Sequence, residues 1–253
     1  MPKFIKKLMD KFEKNLRCLL REWFDIEIVG SQYYLELNEM LLCHGDGFPS
    51  QSQYKQDIFV LTQLGFKRNG YFVEFGATNG LELSNTYLLE KEFNWTGILA
   101  EPAKCWHEEL LKNRQCHIET DCVWNKTGET LKFNQVESAN VSTIDLFTEI
   151  PDGHQKARRK STVYEVNTIS LMDMLEKYQA PKIIDYLSID TEGSEYEILR
   201  GFNFEKYSFK VITCEHNHTS ARDKIFKLLA SKGYVRRFTH LSMCDDWYIY
   251  QGR

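Results

Sequence analysis

The run Tyr71-Phe72-Val73-Glu74-Phe75-Gly76-Ala77-Thr78-Asn79-Gly80 decides how the rest of the chain is read. Aromatic and β-branched residues suit a buried strand. Gly76 and Gly80 then let the backbone bend and approach a ligand closely, and a helix that follows presents its free N–H groups to the same place. Strand, tight turn and helix start together make a cofactor site. A Rossmann dinucleotide fingerprint needs G-x-G-x-x-G, whereas Ala77, Thr78 and Asn79 here separate just two glycines, so a nicotinamide cofactor is the weaker choice.

Working outward, Leu83-Ser84-Asn85-Thr86 follows the turn, and Asp190-Thr191-Glu192-Gly193-Ser194-Glu195 follows a second apolar run. With the acid Glu74 shortly before the first glycine, the first stretch resembles motif I of class I S-adenosylmethionine methyltransferases. The ordered set, over roughly residues 51 to 250, resembles the FkbM family of O-methyltransferases. That resemblance implies a cofactor held by Glu74, Gly76, Ala77, Asn79, Gly80, Ser84 and Asn85, with Asp190 at its reactive end. It also implies that Ser52-Gln53-Tyr54-Lys55-Gln56-Asp57, a capped helix start in its own right, brings Tyr54, Gln56 or Asp57 to the cofactor's methionine end.

At 253 residues, 42% hydrophobic and 13% aromatic, the chain can bury one large core but not a second complete domain. A net charge of −4 gives no reason to expect a nucleic-acid partner, whose binders carry a basic face. Seven cysteines, odd in number and without C-x-x-C spacing, argue against a disulfide framework or a zinc ribbon and fit a reducing cytoplasm. No stretch reaches the ~20 apolar residues of a membrane span, and the N-terminus lacks a continuous signal-peptide core. A soluble, cytoplasmic protein is expected.

From Phe4 to Phe24 apolar residues recur at helical spacing among Lys6, Lys7, Lys11, Lys14, Arg17 and Arg21. This basic amphipathic helix suits packing on the domain, pairing with a second copy, or peripheral contact with a membrane surface. His44-Gly45-Asp46-Gly47 and Pro49-Ser50 form a turn-rich linker. The expected boundary therefore separates an extension over 1–50 from a catalytic domain over 51–253.

After the glycine turn, Leu83 to Phe93 reads as a helix and Thr96 to Ala100 as the second strand, ending in Glu101. An acid there, roughly 20 residues beyond the glycines, can accept hydrogen bonds from both ribose hydroxyls of a nucleoside cofactor; the plain alternative is a surface acid before Pro102. Gln115 to Trp124 reads as a third strand. Matched to the family layout, Asp121 would accept from an adenine amino group and the Cys122 N–H would meet the ring, unless Asp121 is merely a turn cap. Thr130 to Val136 reads as part of a short hairpin, and residues 137–166 as a loop or lid. The basic run Lys156, Arg158, Arg159 and Lys160 within it is a solvated face or a reader of an anionic acceptor.

Ser170 is a candidate N-cap. Ile183 to Ile189 is the fourth strand and delivers Asp190; Phe209 to Cys214 is the fifth and delivers Glu215, His216, Asn217 and His218. Tyr234 to His240 and Trp247 to Tyr250 close the sheet. Methyl transfer needs alignment, removal of a hydroxyl proton and exclusion of water. Asp190 supported by Glu192, with His216 or Glu215 opposite, can take the proton. Alternatively Asp190, Glu215 and Asn217 offer the hard oxygen ligands that Mg²⁺ or Mn²⁺ prefers. Zinc on Cys214, His216 and His218 is disfavoured because alternate strand residues face opposite sides.

These readings converge on a doubly wound α/β, Rossmann-like methyltransferase fold with a mostly parallel seven-stranded sheet, an antiparallel closing strand and an N-terminal helical extension. What the resemblance implies for function is S-adenosylmethionine-dependent O-methylation of a small-molecule or saccharide acceptor, with a sugar of a surface glycan or its precursor preferred. The rivals are an NAD-dependent sugar oxidoreductase and a non-catalytic methyltransferase-like partner protein.

Overall fold

The computed structural model describes residues 48–136, 139–239 and 241–252. The amphipathic stretch Phe4 to Phe24 and most of the linker lie outside them. Within the described residues, Phe48 packs its ring against Phe66 and Phe93, and Ser50 Oγ donates to Asp57 at 2.8 Å. Phe48 and Ser50, on the N-terminal side of the expected boundary, therefore touch the α/β unit.

Seven strands form the main sheet: β1 (Tyr71–Phe75), β2 (Thr96–Ala100), β3 (His117–Glu119), β8 (Ile183–Ile189), β9 (Ser208–Glu215), β10 (Tyr234–Arg237) and β11 (Asp245–Tyr250). Their spatial order is β10-β11-β9-β8-β1-β2-β3. Every pairing is parallel except those of β11, which runs against both β9 and β10. The mostly parallel sheet with an antiparallel closing strand is thus present. Parallel strands covered on both faces read as largely apolar runs, and β1 and β8 do so apart from Glu74, Asp185 and Ser188.

Both faces are covered because neighbouring residues of a strand point to opposite sides. On β11, Trp247 stacks on Phe59 of α1 (Gln56–Gln63) with ring centroids 4.6 Å apart. The next residue, Tyr248, joins the opposite core with Ile225 and Leu229 of α7 (Ala221–Ser231). Each fully buried aromatic of this kind contributes about 1.5–3 kcal/mol through area removed from water. The remaining α-helices among the described residues are α2 (Tyr87–Phe93), α3 (His107–Asn113), α4 (Gln155–Arg158), α5 (Leu171–Lys177) and α6 (Glu195–Arg200). The N-cap of α5 is Ser170, whose side chain accepts from the Asp173 N–H.

Two segments depart from the sequence reading. The expected third strand is two strands: β3 ends at Glu119, whose carboxylate accepts from the Thr120 and Asp121 N–H groups and turns the chain. The next three residues, β4 (Cys122–Trp124), enter a separate sheet. That sheet has the order β4-β7-β5-β6, with β5 (Thr130–Val136), β6 (Thr143–Ile144) and the ten-residue β7 (Ser161–Ser170). β5 pairs antiparallel with the short β6 that follows it, at Phe133 and Asn134, and along its whole length with distant β7. The segment expected to be a loop or lid holds β6, α4 and most of β7. Its apolar side, Cys122, Trp124, Phe133, Ile144 and Val166, forms a small core of its own.

Candidate active site

The strand order reverses at β1, with β2 and β3 on one side and β8 and β9 on the other. Ligands of open α/β sheets sit outside the carboxyl ends of the strands at such a point. A cavity of about 340 Å³ opens there, lined from β1 and its turn by Glu74, Gly76 and Thr78, and from the end of β2 by Glu101 and Pro102. The ends of β8 and β9 add Asp190, Glu192, Glu215 and Asn217. Tyr54 and Asn85 close one side; Phe133, Asn140, Ser142, Ile144 and His154 of the second sheet and its insertion close the other.

Glu74 holds the turn together. Its carboxylate accepts from the Asn85 N–H at 2.7 Å, from Ser84 Oγ at 3.1 Å and from Thr86 Oγ1. Arg114, whose side chain is fully buried, lies 3.9 Å away and donates to Gly80 O, Ser84 Oγ and Thr86 Oγ1 at 3.1, 3.0 and 2.9 Å. Burial raises the Glu74 pKa against these partners. The expected helix from Leu83 consequently begins at Tyr87, because residues 84–86 are spent wrapping this carboxylate.

Glu101 is 4% exposed, and its oxygens accept from Ala103 N–H and Thr78 N–H, each at 2.8 Å. Each oxygen keeps a lone pair for a hydroxyl in the cavity. Burial pushes the Glu101 pKa up to about 7, opposed by the two N–H donors. Beyond it Cys122, Val123, Phe133 and Ile144 give an apolar slot suited to a flat ring.

Strained backbone gathers here. Thr78, Leu83, Glu192 and Asn217 have φ of 47°, 58°, 57° and 42°, and all four line the cavity. Such left-handed non-glycine residues cost energy and persist where surrounding structure enforces them, commonly at functional sites.

Other expected site residues take different places. Ala77, Asn79, Gly80 and Ser84 shape the turn without lining the cavity; Asn79 Oδ1 accepts from the Leu81 and Glu82 N–H groups, and Gly80 packs against Arg114 and Leu110. Gln56 donates to Asp245 Oδ2 at 2.8 Å, and Asp57 is taken up by Ser50, so of that stretch Tyr54 and Gln53 reach the wall. Cys122 lines the cavity while Asp121 does not. His216 also lies off the wall: its Nδ1 accepts from the His218 N–H at 3.0 Å and its Nε2 is 3.8 Å from Asp246 Oδ1. Burial holds its pKa down to about 4, so the ring is neutral.

Asp190, Glu192 and Glu215 do meet. One carboxyl oxygen from each lies within 4.8 Å of the others. The oxygen set expected for a metal therefore includes Glu192, with Asn217 bonded to Glu192 Oε2 at 3.3 Å. Burial pushes Asp190 up to about 6, and burial with the neighbouring acids raises Glu215 well above the carboxylate range. Burial and Asp190 push Glu192 up to about 9, while Arg158 at 2.7 Å pulls it down. Three carboxyls this close and this dry do not all stay ionised, so the cluster shares at least one proton. Such a set can accept a proton from a hydroxyl or hold a hard divalent cation.

The sequence reading missed Arg114, Asn140, Ser142, His154 and the burial of Arg158. For the second sheet a signal existed in the alternation within β7, where Val166 and Thr168 are buried and Glu165 and Asn167 exposed. For the two arginines there was none.

A family model described as the methyltransferase FkbM domain matches residues 74–236. Comparison with curated proteins returns no match. Among solved structures, similarity extends to an FkbM methyltransferase from Methylobacillus flagellatus KT, at 12% identity and TM-score 0.43, over 87% of this chain and 60% of that one. An O-methyltransferase from Bacillus cereus in complex with SAH is similar at 11% identity and TM-score 0.41, over 93% and 95%. A precorrin-6y C5,15-methyltransferase from Geobacter metallireducens GS-15 is similar at 12% identity and TM-score 0.39, over 76% and 85%.

Proposed function

The chain belongs to the FkbM methyltransferase domain family, and from that membership we propose that it methylates a hydroxyl oxygen, that of a sugar in a surface glycan or its precursor, using S-adenosylmethionine. The observation that carries the donor reading is Glu101 at the end of β2, anchored to the glycine turn and facing the same cavity as Asp190. Its free lone pairs match the two hydroxyls of a ribose, and the slot at Cys122, Val123 and Phe133 matches an adenine.

When bound, the donor supplies a methyl group on a positive sulfur. The chain's own residues do the rest. Glu101 and the Gly76 turn orient the nucleoside end. Asp190, in the Asp190–Glu215 pair, accepts the acceptor hydroxyl's proton as the oxygen–methyl bond forms and the sulfur–methyl bond breaks. Asn140, Ser142, His154 and Asn217 also line the cavity and give it amide, hydroxyl and imidazole groups, which supports a polyhydroxylated acceptor. The insertion over 139–158 keeps water away.

The carboxylate trio favours a second reading of the same site, in which Asp190, Glu192 and Glu215 hold Mg²⁺ or Mn²⁺. The ion would there lower the acceptor hydroxyl's pKa. Calorimetry with Mg²⁺ and Mn²⁺ on wild type and Glu215→Gln separates the readings.

The main test is also calorimetric. S-adenosylhomocysteine should bind, NAD should not, and Glu101→Ala should weaken binding by about 1–3 kcal/mol through loss of charge-assisted hydrogen bonds. Binding of NAD in place of S-adenosylhomocysteine would return the oxidoreductase reading. Mass spectrometry of glycans from cells with and without the protein then tests the acceptor, and turnover excludes a non-catalytic partner role.

A further inference from the structure

Near its carboxyl end β8 carries a serine among apolar residues. Ser188 is 1% exposed, and its neighbours Leu187 and Ile189 belong to the main core. In register it lies beside Glu74 on β1 and Thr213 on β9, so three polar side chains form a row across one face of the sheet. A hydroxyl buried this deeply costs stability unless its hydrogen bonds are made. Thr213 Oγ1 lies 3.4 Å from Ser188 Oγ, and Asn85 Nδ2 donates to that oxygen at 2.9 Å.

Asn85 is held at three points. Besides the bond to Ser188, its Oδ1 lies 2.8 Å from Ser52 Oγ and its backbone N–H donates to Glu74 Oε1 at 2.7 Å. Ser52 is itself fixed, because its Oγ accepts the Gln56 N–H at 2.9 Å. Both ends of the amide are thus set from β8 and from the segment before α1. An amide placed in this way keeps one N–H and one lone pair for a further partner, and Asn85 lines the cavity. Along that cavity the apolar slot and Glu101 take the nucleoside on the β2 side, and Asp190 faces the reacting methyl. The part of the donor still to be placed is its amino-acid end, and the wall still open to it is Gln53, Tyr54, Leu83, Asn85 and Cys244. A zwitterion offers donors on its ammonium and acceptors on its carboxylate, and the free groups of the Asn85 amide can meet either.

Resting on the donor reading above, we infer that Ser188 is a positioning residue: from beneath the cavity floor it fixes the Asn85 amide, and that amide recognises the amino-acid end of the donor. Ser188 does not itself line the cavity, so its effect reaches the ligand through Asn85. Fixing the amide in advance spares the ordering cost that a free side chain would add on binding.

The test is calorimetry on the full chain with two ligands, S-adenosylhomocysteine and 5′-methylthioadenosine, which keeps the nucleoside and the sulfur but lacks the amino-acid end. Wild type should prefer S-adenosylhomocysteine. Ser188→Ala should weaken S-adenosylhomocysteine by about 10-fold and leave 5′-methylthioadenosine within about 2-fold, since the hydrogen bonds affected go to the missing end. Asn85→Ala should lower the preference at least as far, and the double variant should bind no more weakly than Asn85→Ala, because the two residues act through one contact. Thr213→Val, which alters the same buried row without touching Asn85, should leave the preference within about 2-fold. A serine that merely supports the core would weaken both ligands together. Equal loss of both ligands in Ser188→Ala, a preference unchanged in Asn85→Ala, or losses that multiply in the double variant would each overturn the inference while the donor reading stands. Wild type that binds neither ligand would overturn both. The Ser188→Ala comparison decides the matter even if Asn85→Ala does not fold.

Discussion

A Cβ placed on Gly76 would lie 1.9 Å from the carbonyl oxygen of Asp190. The turns after β1 and β8 meet at this point because those strands are adjacent and parallel, pairing Phe75 with Ile189. Gly76 also has φ of +72°, which a side chain disfavours. Both ends of the cavity floor are thereby fixed to one another through a missing side chain.

Gly76→Ala should therefore push the two turns apart. The expected cost is about 1–3 kcal/mol of stability from backbone strain, with overpacking added to it. Denaturant unfolding checks the stability, and calorimetry with S-adenosylhomocysteine should show binding lost or sharply weakened. An unchanged midpoint with unchanged binding would mean that the close approach is not maintained in solution.

Glu101 gives a pH dependence with a definite sign. Folding raises its pKa from 4.5 to about 7, so the folded state holds the proton more tightly than the unfolded chain. The resulting stability is fully present below the unfolded value and is lost as pH rises through about 7. Asp190 at about 6 and Asp245 at about 7 act in the same direction, both raised chiefly by burial. The ligand-free protein should become less stable between about pH 5 and pH 8, and Glu101→Gln should remove a part of that loss on the order of 3 kcal/mol. Unfolding curves across that range are the check; parallel pH profiles for wild type and variant would refute the assignment.

How far the sequence carried the reading depends on the range of the forces involved. β1, β8 and β9 were legible because strands buried on both faces are mostly apolar, even with Glu74, Asp185 and Lys210 among them, and Gly76 because a turn at that place demands it. The second sheet was hidden by its pairing: β7 finds β5 roughly thirty residues back, and nothing local in Ser161–Ser170 names that partner. Glu119 broke the expected third strand with one carboxylate, without a glycine or proline to mark the place. At the site, residues delivered by strand ends reached the cavity, as with Glu101, Asp190 and Glu215. Arg114 and Arg158 act through side chains that cross between distant elements, and a charged residue in a polar stretch looks solvated until the fold buries it.

His216 and Asp190 should part company in turnover. Both follow or end adjacent parallel strands, and both carry a group able to accept a proton. The strand alternation separates them. Asp190 faces the cavity, while the His216 ring turns away to accept the His218 N–H and to lie beside Asp246, itself bonded by Arg222 and Arg236 at 2.8 and 3.0 Å. A base must come within hydrogen-bond reach of the proton it removes, and geometry precedes pKa in that choice. Asp190→Asn should therefore lower turnover by about 10²-fold or more while S-adenosylhomocysteine affinity stays within a few-fold. His216→Gln should leave turnover within about 10-fold, its loss reflecting packing alone. The measurement is release of S-adenosylhomocysteine with glycan acceptor, beside calorimetric binding of the same product. If His216→Gln proves as damaging as Asp190→Asn at equal affinity, the imidazole must swing into the cavity during the reaction, and Asp190 would lose its place as the base.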